Sequence, residues 1–216
     1  MASPSSKKRN FSRFSLREAF LALDLTDLIP WSLDAEPVEP TAFFQERLQR
    51  LEHAFDLQSY EESKKLLIDA LCEEALLPCH HLKLWKGASL QGEIAGGYVD
   101  YLGAERKRYL EAPFLCVIEA KKDDFEQGLA QCLIELKACQ EVNQRLDRSI
   151  DVFGIVSNGQ VWQFYRLAAW DPEQPGHRVY ETPPYSTGNL EFLLGQLRSL
   201  FQQCEHSLLA TKSPSL

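Results

Sequence analysis

Apolar positions 16, 19, 20 and 23 recur at helical spacing and predict a short amphipathic helix over 15–25. Positions 43, 44, 48, 51 and 55 do the same over 41–57, with Thr41 as the candidate N-cap. A third helix is predicted over 59–77, opened by Ser59 with Glu62 three residues later, the signature of a capping box. The pattern then changes to period two. Strands are predicted over 82–85, 93–103, 114–120, 149–156 and 161–167, with a turn region at 87–92. The near-continuous apolar run 114–118 suits a central strand covered on both faces. The longest helical stripe, Phe125, Leu129, Cys132 or Leu133, Leu136, Cys139 and Val142, predicts a helix over 123–146. Asp124, Gln127, Gln131 and Glu135 form a separate polar stripe on it. Asn158-Gly159 predicts a type I′ hairpin turn. Trp162, Phe164 and Tyr165 read as sheet packing, with base stacking as the alternative. Four prolines make 170–185 a loop, and apolar positions from 190 to 208 predict a closing helix over 190–209.

This alternation is that of an α/β protein: helix, three strands, helix, two strands, with extra helices at both ends. Four segments follow. Residues 1–14 read as a disordered basic tail, 15–58 as a helical extension, 59–169 as the core, and 170–216 as a loop and helix packing on that core.

Composition is that of an ordinary globular chain: 216 residues, 44% hydrophobic and 25% charged. The apolar runs fall short of the roughly 20 residues that span a bilayer. No apolar signal core follows the basic N-terminus, so a cytoplasmic protein without membrane contact is expected. The six cysteines lie in apolar or helical runs and read as reduced thiols. Cys79-His80-His81 lacks a second ligand pair, which argues against zinc. A net charge of −8 counts against a broad grip on nucleic acid, but local basic groups stand at Lys7, Lys8, Arg9 and Arg13 and at Arg106, Lys107 and Arg108.

Candidate chemistry centres on Asp100 and, nineteen residues on, Glu119-Ala120-Lys121. Residues two apart on a strand share a face, so Glu119 and Lys121 project together. If the strand carrying Asp100 lies alongside, two carboxylates and an ammonium meet. Such a pair suits Mg²⁺, with Mn²⁺ as substitute, because hard cations prefer oxygen ligands and keep several waters. A lysine beside it could steady developing negative charge or help activate a water.

Asp100…Glu119-Ala120-Lys121, an acid-rich helix before it, Gln131 on the helix after it, and the segment 153–165 together resemble the PD-(D/E)XK nuclease superfamily. The likeness is to the N-terminal nuclease domains of type I restriction subunits and related small bacterial proteins, and it covers about 60–167, roughly half the chain. Val99 stands where the proline that names the motif would be. The resemblance implies a restriction-endonuclease-like core of αβββαβ order, a mixed sheet flanked by helices. It also implies Mg²⁺-dependent hydrolysis of nucleic acid, DNA in the first instance. Asp100 and Glu119 would be metal ligands, joined by a helical glutamate: Glu62 by position, with Glu61 and Glu73 as rivals. Lys121 would act on the attacking water, and Gln131 would position substrate through its amide. A catalytically silent nuclease-like fold that binds nucleic acid or protein is the alternative. A homodimer or a larger protein partner through the terminal helices is a further expectation.

Overall fold

The computed structural model describes residues 8–121 and 124–210. They form a mixed α/β architecture in which a central sheet is flanked by helices. The helices are α1 (Leu16–Leu23), α2 (Ala42–Ala54), α3 (Glu61–Ala75), α4 (Phe125–Gln144) and α5 (Leu190–Ala210). The strands are β1 (Ile29–Pro30), β2 (Leu82–Gln91), β3 (Gly96–Glu105), β4 (Phe114–Ala120), β5 (Val152–Ser157), β6 (Val161–Leu167), β7 (Val179–Glu181) and β8 (Tyr185–Ser186).

The sheet runs β1-β7-β6-β5-β4-β3-β2, with β8 pairing β6. Strands β2, β3 and β4 form an antiparallel meander. Helix α4 then carries the chain across to β5, which lies parallel to β4. All seven residues of β4 are buried, as a strand covered on both faces requires. One layer packs Phe44 of α2, Ile68 and Leu71 of α3 and Leu197 and Phe201 of α5 on Cys116, Ile118 and Phe164. The opposite layer packs Leu23 of α1 and Ala130, Leu133 and Leu136 of α4 on Val117, Val152 and Val156.

Local chemistry explains the helix starts. The Ser15 hydroxyl accepts from the Glu18 amide while the Glu18 carboxylate accepts from the Ser15 amide at 2.9 Å, a reciprocal capping box. Thr41 caps α2, its hydroxyl accepting from the Phe44 amide at 3.2 Å. Helix α3 departs from expectation: Tyr60 is its N-cap, with no side-chain cap bond, and Ser59 and Glu62 form no box.

Other differences have plain causes. Strand β2 runs on to Gln91 through most of the expected turn at 87–92, because Gly87 takes φ +59° within it and the pairing with β3 holds on either side. Of the turn residues, Gly159 alone has positive φ. The turn is therefore not type I′, and the Asn158 carboxamide oxygen accepts from the Gln160 and Val161 amides instead. The proline-rich loop contains β7 and β8, and β7 recruits β1 from the N-terminal region. Residues 8–14 of the expected disordered tail are ordered: Phe11 is fully buried, and the Gly96 amide donates to the Arg9 carbonyl at 3.0 Å. The rest of that tail, the start of the helix expected from Asp123, and residues 211–216 lie outside the described residues. Among the described residues, no helix is long and apolar enough to cross a membrane. All six cysteines are buried and free, and Trp162, Phe164 and Tyr165 are core residues.

The extended segment 32–40 is stitched to α5: the Val38 amide donates to the Glu191 carbonyl at 2.9 Å, and Gly195 lets the backbones touch. A Cβ at residue 195 would stand 2.1 Å from the Glu36 carbonyl oxygen. Gly195→Ala is therefore expected to destabilise the chain by about 2 kcal/mol, lowering the melting temperature by roughly 4–8 °C. An unchanged thermal melt would show that this contact does not hold the extension in place.

Candidate active site

Strand register brings the motif together. The last registered β3–β4 pair is Tyr101 with Ile118, so the next step along both strands sets Asp100 beside Glu119. One Asp100 oxygen accepts from the Ala120 amide at 2.9 Å, and the other lies 3.0 Å from the Lys65 ammonium of α3. Just past β4, the Lys121 amide donates to the Ser157 carbonyl of β5 at 2.9 Å, which fixes where its side chain departs. The Lys121 ammonium then stands 2.7 Å from Glu119 Oε1 and donates to Gln131 Oε1 at 3.1 Å. Gln131 Nε2 in turn donates to Glu135 Oε1 at 2.9 Å. Gly128 makes room for this row, since a Cβ there would lie 3.0 Å from Lys121 Cγ.

The site is largely withdrawn from water. Glu119 is 3% exposed and Glu135 0%, and Oε2 of each is buried without a hydrogen-bond partner among the described residues. Burial, followed by the charge of Asp100, raises the Glu119 carboxyl to about 7 against the pull of Lys121. Burial and the nearby Glu119 push Glu135 well above the carboxylate range. For Lys121 burial acts downward, but the charge and hydrogen bond of Glu119, with Glu61 and Asp100, carry it above its ordinary value. Lys65 is likewise raised: its hydrogen bonds to Glu62 and Asp100 outweigh its desolvation.

Four of the residues singled out from the sequence thus converge: Asp100, Glu119, Lys121 and Gln131. Glu62 does not join them; its side chain is 83% exposed and pairs outward with Lys65 at 2.8 Å. Glu73 pairs with Arg47. Glu61 is the helical acid whose charge reaches both Glu119 and Lys121. The reason is the phase of the helix: Glu61 stands seven residues before the buried Ile68 and shares its face, while Glu62 lies about 100° around toward solvent. Gln131 also differs from expectation, because both ends of its amide are engaged by Lys121 and Glu135. Sequence reasoning missed Lys65 and the role of Glu135. Each lies four residues beyond a candidate, Glu61 and Gln131, the spacing at which helical side chains meet.

Among the described residues no three His, Cys, Asp or Glu side chains gather as a metal cluster, and Cys79-His80-His81 forms none. The two carboxylates Asp100 and Glu119 remain. The unpartnered Glu119 Oε2 fits a hard cation, which would supply the missing partner and draw its other ligands from water and backbone.

No protein-family model matches the chain. Over 80 residues, 37% of the chain, it is 35% identical to Crinkler effector protein 5 of Phytophthora infestans. The match covers 20% of that protein, so the chain corresponds to about a fifth of its length.

Because the folded carboxyl of Glu119 titrates near 7 rather than its ordinary 4.5, the folded state binds the extra proton between those values. The contribution of Glu119 to the stability of the metal-free chain is therefore expected to fall by about 2–3 kcal/mol as pH rises through that window. Glu119→Gln is expected to reduce the pH dependence by that amount and leave the part that Glu135 contributes. Denaturant unfolding at intervals from pH 4.5 to 7.5 measures it, and the same pH slope in both proteins would contradict the assignment.

Proposed function

We propose that this chain is a Mg²⁺-dependent nuclease of the PD-(D/E)XK kind, hydrolysing phosphodiester bonds of nucleic acid, with DNA as the first substrate to test and Mn²⁺ as a substitute ion. The observation that carries this reading is the buried Glu119–Lys121 pair with an unpartnered carboxylate oxygen, seated beside Asp100. The order α3, antiparallel β2–β3–β4, α4, parallel β5 supports it, being the αβββαβ succession expected of a restriction-endonuclease-like core.

Asp100 and Glu119 would hold the cation, with Glu61 rather than Glu62 as the helical acid nearby. A bound divalent ion would polarise a phosphoryl oxygen and ease deprotonation of water. The chain's own groups supply the rest. In the metal-free chain the charge and hydrogen bond of Glu119 hold Lys121 above its ordinary value, which suits a donor rather than a base. Its ammonium donates hydrogen bonds, which orient the attacking water and offset the negative charge that builds on phosphorus-bound oxygens. Gln131 holds that ammonium through its carbonyl oxygen. Arg9 and Arg13 lie on a segment bonded to β3 through Gly96 and to α4 through Gln127, whose amide nitrogen donates to the Ser12 and Phe14 carbonyls at 3.1 and 3.2 Å, and the Arg9 guanidinium is paired with Glu18 at 2.7 Å.

One observation favours a second reading, a nuclease-like fold that binds without cutting: each site carboxylate already has a lysine, Lys65 on Asp100 and Lys121 on Glu119. A cleavage assay separates the two. The full chain is incubated with labelled single- and double-stranded DNA and RNA in Mg²⁺ or Mn²⁺, beside Lys121→Ala. Metal-dependent cutting reduced about 100-fold or more in the variant is expected. Absence of cutting by the folded wild type would favour the binding module, and equal rates in both proteins would remove Lys121 from the mechanism.

A further inference from the structure

We infer that Glu135 is a positioning residue: by accepting the Gln131 amide hydrogen, it fixes the orientation of that amide so that its carbonyl oxygen faces the Lys121 ammonium. The catalytic meaning rests on the nuclease reading above; the hydrogen-bond order stands by itself.

Donors and acceptors dictate how the row can be built. An ammonium has three donors and no acceptor. It can meet Gln131 only at Oε1, where the structure has it at 3.1 Å. A carboxamide has two unlike ends, and a half-turn would set its NH₂ against the Lys121 ammonium, donor against donor. What decides between the two orientations is the other end of the amide. There Nε2 donates to Glu135 Oε1 at 2.9 Å, and a carboxyl supplies an acceptor at that point.

Glu135 has little other reason to be where it is. It is fully buried on α4, between Ile134 and Leu136 of the same apolar layer, and Oε2 finds no partner. An apolar side chain would fill that space without the cost of withdrawing a polar group from water. Among the described residues, the hydrogen bond it makes is the one from Gln131, toward the site. Lys121, Gln131 and Glu135 thus form one directed row, Nζ to Oε1 and Nε2 to Oε1, that ends on Glu119 at its other side.

The test reads the Lys121 amine directly and needs no turnover. The full chain is labelled by reductive dimethylation with formaldehyde and cyanoborohydride, and site occupancy is followed by mass spectrometry. Lys65, held by Asp100 and Glu62 away from Gln131, is the internal standard. Glu135→Leu is expected to raise the Lys121 to Lys65 labelling ratio roughly fivefold, the scale of one lost hydrogen bond. Glu135→Gln, whose carbonyl can still accept, is expected to stay within about twofold of wild type. Gln131→Leu should match Glu135→Leu, and the double variant should add nothing, because the effect runs through Gln131. A purely structural glutamate would change the melting temperature and leave the ratio alone. An unchanged ratio in folded Glu135→Leu overturns the inference. If Glu135→Leu fails to fold, an unchanged ratio in Gln131→Leu overturns it equally. The expected ratios in a wild type that cuts no nucleic acid would uphold the positioning role and overturn the nuclease reading instead.

Discussion

A carboxylate one residue from the end of a fully buried central strand must find compensation, and much of this fold is arranged around Glu119 doing so. Water is excluded from it, and removing an unpaired charge from water costs several kcal/mol. The compensation comes from Lys121, whose backbone is fixed by β5 and whose stem passes through the gap left by Gly128. Helix α4 can approach that closely only because the position lacks a Cβ. The same approach delivers Gln131 to the ammonium and Glu135 to Gln131. The parallel β4–α4–β5 crossover is thus the frame of the site as well as of the sheet.

Asp100 faces a milder version of the same demand. It receives the Ala120 amide and the Lys65 ammonium, and Lys65 also ties down Glu62 at the surface. In the metal-free chain two lysines therefore neutralise two carboxylates. Under the proposed function one of them, Lys121, stays to meet the phosphate, while Lys65 shares Asp100 with the cation. The raised carboxyl of Glu119 reflects burial first and the neighbouring Asp100 second, and under the proposed function a cation would displace its proton.

Periodicity made the architecture legible, because apolar spacing directly reports which face of an element is buried. The stripe on α4, the run 114–118 and the closing helix α5 all fall where that spacing set them. What it could not report were contacts made by single residues across the fold. Gly87 keeps β2 going through an apparent turn, and Phe11 anchors a segment whose composition reads as a tail. Strand β1 has two residues and exists only because β7 offers an edge. In the site, Asp100, Glu119, Lys121 and Gln131 were legible from strand alternation together with the family resemblance. Position near the helix start favours Glu62 over Glu61, but position does not tell which of two neighbouring residues faces the sheet; Glu61 does, seven residues before the buried Ile68. Glu135 was visible as part of a polar stripe, but a stripe cannot tell a solvated face from a buried row of hydrogen bonds.

The measurement closest to the centre of the account is a calorimetric titration of the full chain with Mn²⁺ and Mg²⁺, repeated on Asp100→Asn and Glu119→Gln. The account predicts saturable binding at millimolar concentration or tighter in the wild type, with proton release near pH 7, and its loss in both variants. Absence of binding heat in the folded wild type, or the same binding in all three proteins, would contradict the assignment of this carboxylate pair as a cation site.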